Sequence, residues 1–241
     1  MYFEAPKVLI SPTLDMKQIH ARAVQTIEKG VQIDLSTAAC KRYLRRHANT
    51  KTSVAVLYVD IYGSTRLTLS LPSDQLALVL QLFSQEMSMV VANFGGYVLK
   101  YVGDAVIALF PAEHDSKQAC MHALECGKTM LDVVHSAIAP ALFSHGLPEL
   151  RVKVSIDFGD VLVVLYGKSL ENSHIDIIGS SISMAAKMIA VVPVDRIIMG
   201  QAVHDNLPRE ETKALVQYDV DESMWSYVDQ NKKRYRLYLT V

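Results

Sequence analysis

Short apolar runs rich in β-branched residues alternate along the chain with longer stretches in which apolar residues recur at every third or fourth position. The short runs predict β-strands, and the longer stretches predict amphipathic α-helices. Strands are expected within residues 53–59, 95–110, 151–167 and 196–199, and in a C-terminal edge hairpin joining 225–228 to 234–239. Helices are expected at 15–29, 34–43, 74–93, 114–139 and 181–190. Because strands and helices alternate and several strands are joined by hairpins, the fold class is α+β, a mixed sheet with helices packed on a face.

Two of these strand regions contain turn signals. The pair Gly103-Asp104 separates two apolar runs and is suited to a tight reversal, so it predicts a hairpin with Asp104 at its tip. A carboxylate at such a tip is, by itself, ordinary turn chemistry. In the region 151–167 the sequence Phe-Gly-Asp at 158–160 predicts a turn between two further strands.

A second aspartate indicates a function for Asp104. Asp60 directly follows the apolar strand 53–59 and precedes a small-residue loop, which is how α/β sheets place ligand chemistry. Two strand-end aspartates can meet on adjacent strands. Their oxygens suit hard cations such as Mg²⁺ or Mn²⁺, and a pair of them can hold two ions about 3.5–4 Å apart against a phosphate chain.

Composition bounds the remaining possibilities. Half of the 241 residues are apolar, which suggests one large domain or one domain with an extension. The formal net charge is -1, so no overall field attracts the chain to nucleic acid or to an anionic membrane.

The three cysteines, Cys40, Cys120 and Cys126, are odd in number and lack the spacing of a zinc site, which predicts reduced, packed thiols. The first ten residues show no signal pattern, and the apolar tracts are interrupted short of the ~20 residues of a membrane span, so we expect a cytoplasmic protein without a membrane partner.

Three ordered segments then resemble the motifs of a known family. Residues 57–68 (Leu-Tyr-Val-Asp-Ile-Tyr-Gly-Ser-Thr-Arg-Leu-Thr) resemble the first metal motif of the class III nucleotidyl cyclases, and residues 100–104 (Lys-Tyr-Val-Gly-Asp) resemble the second. A third match lies at residues 175–188, in the family's order and spacing. The resemblance covers about residues 51–206 and implies a cyclase homology domain with a ferredoxin-like mixed or antiparallel sheet. We expect a helical extension at residues 1–50 and the catalytic domain at 51–241.

The resemblance implies an adenylate cyclase that converts ATP to 3′,5′-cyclic AMP and pyrophosphate. In this family the ribose 3′-oxygen attacks the α-phosphorus in line, assisted by two metal ions per site, Mg²⁺ or Mn²⁺. By analogy, Asp60, Asp104 and the backbone carbonyl of Ile61 are the metal ligands. The loop Gly63-Ser64-Thr65 leads into a helix whose free N–H groups are expected to cradle phosphates. Catalysis would then be mostly positioning and charge stabilisation.

Base selection follows from two further positions. Lys100 and Asp176 stand where adenylyl cyclases read the purine with a Lys and an Asp. An ammonium facing adenine N1 and a carboxylate accepting from the 6-amino group fit adenine and mispair with guanine. The resemblance therefore implies ATP as the substrate.

Some positions depart from the family pattern. Ser183 replaces the transition-state Asn, and Lys187 replaces the transition-state Arg. Lys153, Ser155 and Asp157 stand in the Arg, Gly and His places of the family's Arg-x-Gly-x-His-x-Gly strand; Lys153 can still meet a phosphate as a point charge. Because each lost transition-state hydrogen bond costs roughly 10²–10³ in rate, we expect a slow enzyme.

The family's arrangement also implies a partner. One subunit supplies the metal aspartates and the other the base-reading and transition-state groups, so we expect a head-to-tail homodimer with two composite sites. The late phosphate-binding Lys of the family has only candidates here, Lys232 and Lys233. The alternatives are a cyclase of GTP or of a pyrimidine nucleotide, or a degenerate nucleotide-binding module without turnover. A nucleic-acid polymerase or nuclease is disfavoured, because no basic groove with interleaved aromatic residues is visible.

Overall fold

The computed structural model describes residues 14–31, 33–113, 115–229 and 231–241. Its strands within these ranges form an eight-stranded mixed sheet. They are β1 Lys51–Ile61, β2 Tyr97–Val102, β3 Ala105–Pro111, β4 Val152–Tyr166, β5 His174–Ile178, β6 Ile197–Gly200, β7 Leu215–Gln217 and β8 Leu237–Thr240. The order is β2-β3-β1-β4-β6-β8-β7, and β5 pairs with the far half of β4. The β4–β6 pair is parallel and the other pairs are antiparallel.

Helices cover both faces of this sheet. They are α1 Met16–Lys29, α2 Ala38–Arg46, α3 Ser64–Ser70, α4 Ser73–Asn93, α5 Ser116–Val133, α6 Ala139–Ser144, α7 Ser180–Val191, α8 Gln201–Asn206 and α9 Arg209–Thr212, with a π-helical turn at Val134–Ile138 between α5 and α6. Successive side chains of β1 point to opposite faces. Ala55, Leu57 and Val59 therefore join a core cluster with α1, α4 and α5, whereas Val54 and Val56 join a second cluster with α2 and α7.

The α+β fold class and the mixed sheet with flanking helices are confirmed. The hairpin of β2 and β3 turns at Gly103-Asp104, and Gly103 adopts the positive φ of +61° that this turn requires. Helix α1 begins after Asp15, whose carboxylate accepts a hydrogen bond from the Lys17 N–H as an N-cap. The predicted start of a helix at residue 114 and the expected lack of a signal pattern in residues 1–10 lie outside the described residues.

The cysteines are free and buried, as expected. Cys120 and Cys126 lie on α5, and Cys40 lies on α2. The expectation about apolar tracts needs a correction, because α4 is long and apolar enough to cross a membrane by length and composition. Its buried side includes Phe83 and Met87, which pack in the larger core cluster, so we interpret α4 as a core helix.

Three boundary predictions are wrong. Residues 151–167 form the single strand β4 and not two strands, because β1 pairs with it without a break from Lys51↔Leu162 to Ile61↔Val152. The C-terminal edge hairpin forms no ladder in the described residues: β8 pairs with β6 and β7. Residues 225–228 meet 234–235 through the isolated bridge Val228↔Arg234 and a bond from the Trp225 indole N–H to the Tyr235 carbonyl. The helix does not end before Pro140, because the π-helical turn carries the chain directly into α6 and the proline, which has no N–H, lies in the first turn of α6.

Candidate active site

Asp60 and Asp104 lie together at one end of the sheet. Asp60 ends the run of β1 that pairs with β3, opposite Ala105, and Asp104 is in the turn that precedes Ala105. Burial raises the pKa of Asp60 to about 6, helped by the negative charge of Asp104 and by a hydrogen bond between the two carboxyl groups, while the Lys153 ammonium opposes the shift. Burial and the neighbouring carboxyl group thus disfavour ionisation of Asp60, and a bound cation would offset both effects.

The carboxylate pair fits an open divalent-cation site, in which water and substrate complete the coordination, rather than a site whose ligands all come from protein side chains. Within the described ranges, no third Asp, Glu, His or Cys side chain joins it to form a cluster of metal ligands. Mg²⁺ commonly takes one or two carboxylates and fills its other positions with water and substrate phosphates. The carbonyl of Ile61 follows Asp60 directly and is a further oxygen at the end of β1.

Lys153 lies beside the carboxylate pair. It is opposite Asp60 in the β1–β4 register, and its Nζ lies 5.7 Å from the centre of the Tyr62 ring. The same Nζ donates a long hydrogen bond of 3.4 Å to the carbonyl of Ile189 on α7. The half-buried ammonium therefore links the end of β1 to the α7 helix, and its charge acts on Asp60.

Lys100 on β2 and Asp176 on β5 form an ion pair. The Lys100 Nζ donates to the Asp176 Oδ2 at 2.5 Å, and the side chains are 37% and 21% exposed. The other carboxylate oxygen of Asp176 accepts the Ile177 N–H at 2.9 Å, which fixes the orientation of the group. The structure thus brings together the two residues that the sequence assigns to base reading, although they are 76 positions apart in the chain.

Helix α7 carries Ser183 and Lys187 on one exposed side. The Ser183 hydroxyl donates to the Gly179 carbonyl at 3.1 Å, at the start of the helix. Helix α7 is held to the sheet by Ser155, whose buried hydroxyl donates to the Ala185 carbonyl at 2.7 Å. Ser155, at the family's Gly position, therefore fixes the helix to β4.

The small-residue loop borders the carboxylate pair. Gly63 has a φ of +74° and precedes α3. Ser64 and Thr65 line a cavity of about 330 Å³ together with Gly103 and Asp104. The exposed Lys232 and Lys233 lie in a turn in which the Asp229 carboxylate accepts the Lys233 N–H, and no contact in the described residues joins them to Asp60.

Sequence reasoning missed a buried acid. Asp157 is 2% exposed, accepts a hydrogen bond of 2.7 Å from the Tyr235 hydroxyl, and faces Gly200 so closely that a Cβ there would lie 2.3 Å from its Oδ1. Burial raises its pKa to about 7, although the bonds from Tyr235 and from the Phe158 N–H oppose the shift. The available signal was that Asp157 alternates with Phe158 on β4 and shares a strand face with Ser155, but its partner Tyr235 is 78 residues away.

Comparisons with known proteins agree with this architecture. A family model described as the adenylate and guanylate cyclase catalytic domain matches residues 47–238. The adenylyl cyclase CyaB from P. aeruginosa superposes with a TM-score of 0.67 at 20% identity, over 80% of this chain and 95% of that chain. At this identity, the structural likeness supports the fold alone.

The sequence relatives are named after different nucleotides. A cytidylate cyclase from Escherichia coli is 25% identical over 200 residues, which cover 77% of this chain and 43% of that protein. An adenylate cyclase from Streptomyces coelicolor is 26% identical over 156 residues, which cover 65% of this chain and 34% of that protein. The chain spans less than half the length of these relatives.

Proposed function

Since the chain belongs to the adenylate and guanylate cyclase catalytic-domain family, we propose that it converts a nucleoside triphosphate to its 3′,5′-cyclic monophosphate and pyrophosphate. The observation that carries this proposal is the pair of Asp60 and Asp104. Two carboxyl groups at the end of adjacent strands are a poor arrangement for stability, because each disfavours the charge of the other. They are a good arrangement for a cation that meets a triphosphate.

In the proposed reaction, Asp60, Asp104 and the Ile61 carbonyl would hold two ions, Mg²⁺ or Mn²⁺. When bound, such ions activate the ribose 3′-oxygen and neutralise the triphosphate charge. Lys153, beside Asp60, supplies a further positive charge toward the phosphates. The N–H groups at Gly63, Ser64 and Thr65 bind phosphate oxygens at the cavity that Asp104 also lines.

Ser183 and Lys187 complete the catalytic groups. Lys187 presents its ammonium from the exposed side of α7 and stabilises negative charge at the α-phosphoryl group. The Ser183 hydroxyl orients the ribose, but it also bonds to the Gly179 carbonyl and is shorter than an amide side chain. These replacements support a slow reaction.

The Lys100–Asp176 pair selects the base, and we propose ATP as the substrate. The ammonium donates to adenine N1, and the carboxylate accepts from the 6-amino group. Cytosine presents the same order of groups, because its N3 acceptor lies beside the 4-amino donor. CTP is therefore the second candidate, and the relatedness to a cytidylate cyclase favours keeping it. Guanine and uracil present an N–H donor beside a carbonyl, which opposes both Lys100 and Asp176.

A second copy of the chain would complete the site. The charges that act on Asp60 are those of Asp104 and Lys153, whereas Asp176 acts on Tyr58 and Cys40 in the second core cluster. The metal-binding and base-reading groups thus form two separate clusters within one chain. A head-to-tail homodimer with two composite sites would bring the base-reading cluster of one chain to the carboxylate pair of the other.

The three free, buried cysteines support a reducing compartment, and we propose that the reaction takes place in the cytoplasm. None of these thiols is needed for the proposed chemistry. Their burial raises the pKa of Cys120 to about 12, so it is a packing group and not a nucleophile.

A competition among triphosphates tests this function. ATP, CTP, GTP and UTP are mixed in equal amounts with the protein and Mn²⁺, and the cyclic products are separated by mass. We expect cyclic AMP, or cyclic CMP, well in excess of the products of GTP and UTP, and we expect Lys100→Ala to reduce this preference. Binding of triphosphate without pyrophosphate release would support the nucleotide-binding module instead, and equal use of all four bases would refute the assigned base readers.

A further inference from the structure

Helix α2 lies outside the residues that the family model matches, yet it contacts the base-reading strands. The match to the family model begins at residue 47, directly after α2 ends at Arg46. The helix packs against both β2 and β5, which carry Lys100 and Asp176 respectively. It spans two strands that are not neighbours in the sheet.

The apolar side of α2 lies directly behind the ion pair. Its buried residues Cys40, Tyr43 and Leu44 belong to the same core cluster as Leu99, which precedes Lys100, and as Ile175 and Ile177, which flank Asp176. Burial raises the pKa of the Cys40 thiol to about 12, and the charges of Asp176 and Lys100 both act on it. Both results locate α2 within interaction range of the two charged side chains.

One ring stack and two hydrogen bonds anchor α2 to the two strand regions. The Tyr43 ring stacks on Tyr97 at the start of β2, with 5.3 Å between ring centres. The Arg45 guanidinium donates two hydrogen bonds of 2.8 Å, from Nε to the Leu170 carbonyl and from Nη2 to the Glu171 carbonyl. These carbonyls belong to the loop between β4 and β5, a few residues before Asp176.

We infer that α2 is a positioning element that sets the separation and orientation of Lys100 and Asp176, with Arg45 as its anchor on the β5 side. This inference rests on the proposed role of that pair in reading the base. The sheet holds β2 through β3 and β5 through β4, and α2 adds an element that contacts both strands at once. A small misplacement of either charge weakens recognition of the base without touching the reacting phosphate.

The test compares three variants of α2 in the full chain. Arg45→Ala removes both bonds to the β4–β5 loop, and Arg45→Lys keeps the charge on one nitrogen but loses the fork that reaches both carbonyls. Arg42→Ala is the matched control, because the exposed Arg42 on the same helix makes no hydrogen bond or ion pair in the described residues. We expect Arg45→Ala to raise the KM for ATP roughly 5–10-fold with kcat within about twofold, Arg45→Lys to be intermediate, and Arg42→Ala to match the wild type.

Binding of ATP, measured by calorimetry with Ca²⁺, gives a readout that does not need turnover. Arg45→Ala should weaken this binding by the same factor, and it should add no further loss to an Asp176→Ala chain. Unchanged KM and affinity in Arg45→Ala, or losses that multiply in the double variant, would overturn the inference, even if the melting temperature falls. A third outcome separates the two proposals. If the wild type binds ATP, Arg45→Ala weakens that binding and no cyclic product ever forms, the proposed reaction is refuted and the positioning role is supported.

Discussion

Asp157 gives a prediction whose size follows from the structure. The carboxyl group is buried under Tyr235 and Gly200, and its pKa rises from an ordinary 3.8 to about 7. A raised carboxyl pKa means that the folded state holds its proton more tightly than the unfolded state. The stabilisation is therefore complete below about pH 4 and is lost as the pH rises toward 7. At 1.36 kcal/mol for each pKa unit, this loss is on the order of 4 kcal/mol.

The variant Asp157→Asn removes this titration and keeps an oxygen for the Tyr235 hydroxyl. Because the amide has one acceptor oxygen in place of two, each bond from Tyr235 or Phe158 that it cannot accept costs about 1–3 kcal/mol at every pH. The informative quantity is thus the difference in unfolding free energy between pH 5 and pH 8, obtained from urea titrations. Because part of the loss has already occurred by pH 5, we expect the wild type to lose about 2–3 kcal/mol more than Asp157→Asn over this interval. Equal losses in the two proteins would refute a buried, titrating Asp157.

Three other predictions concern the site. Mixing Asp60→Ala chains with Lys100→Ala chains should restore about a quarter of wild-type activity through one intact composite site per mixed dimer, and no rescue from folded chains would argue against the dimer. The double change Ser183→Asn with Lys187→Arg should raise kcat at least roughly tenfold in a steady-state assay, and no gain with ATP still bound would favour a module without turnover. Asp104→Asn should lower the pKa of Asp60, so melting temperatures at pH 5 and pH 7 should differ less than in the wild type; an equal difference would contradict the coupling.

The sequence was most informative where a signal is local. Gly103-Asp104 predicts its own turn, and Asp15 predicts the start of α1. The Phe-Gly-Asp signal at 158–160 misled for a tertiary reason. β1 pairs across it without a break, and the Ser53 hydroxyl donates to the Asp160 carboxylate at 2.5 Å, so the chain stays extended.

Parts of the candidate site depend on contacts that no local pattern encodes. Resemblance assigns Lys100 and Asp176 separate roles in base reading, but their ion pair depends on how β5 is placed beside β2. The burial of Asp157 depends on Tyr235 and Gly200, which come late in the chain. The packing of α2 could not be predicted either, because a helix with this many basic residues is typical of a face exposed to solvent.

The role of Asp60 and Asp104 is tested most directly by product formation in the wild type and in Asp60→Asn. Each protein is incubated with Mn²⁺ and ATP, then with Mn²⁺ and CTP, and the products are identified by mass. We predict a 3′,5′-cyclic monophosphate and pyrophosphate from the wild type, and roughly 100-fold less of both from Asp60→Asn at an unchanged fold. Equal cyclic product from the two proteins, or only linear di- and monophosphates from the wild type, would contradict the account.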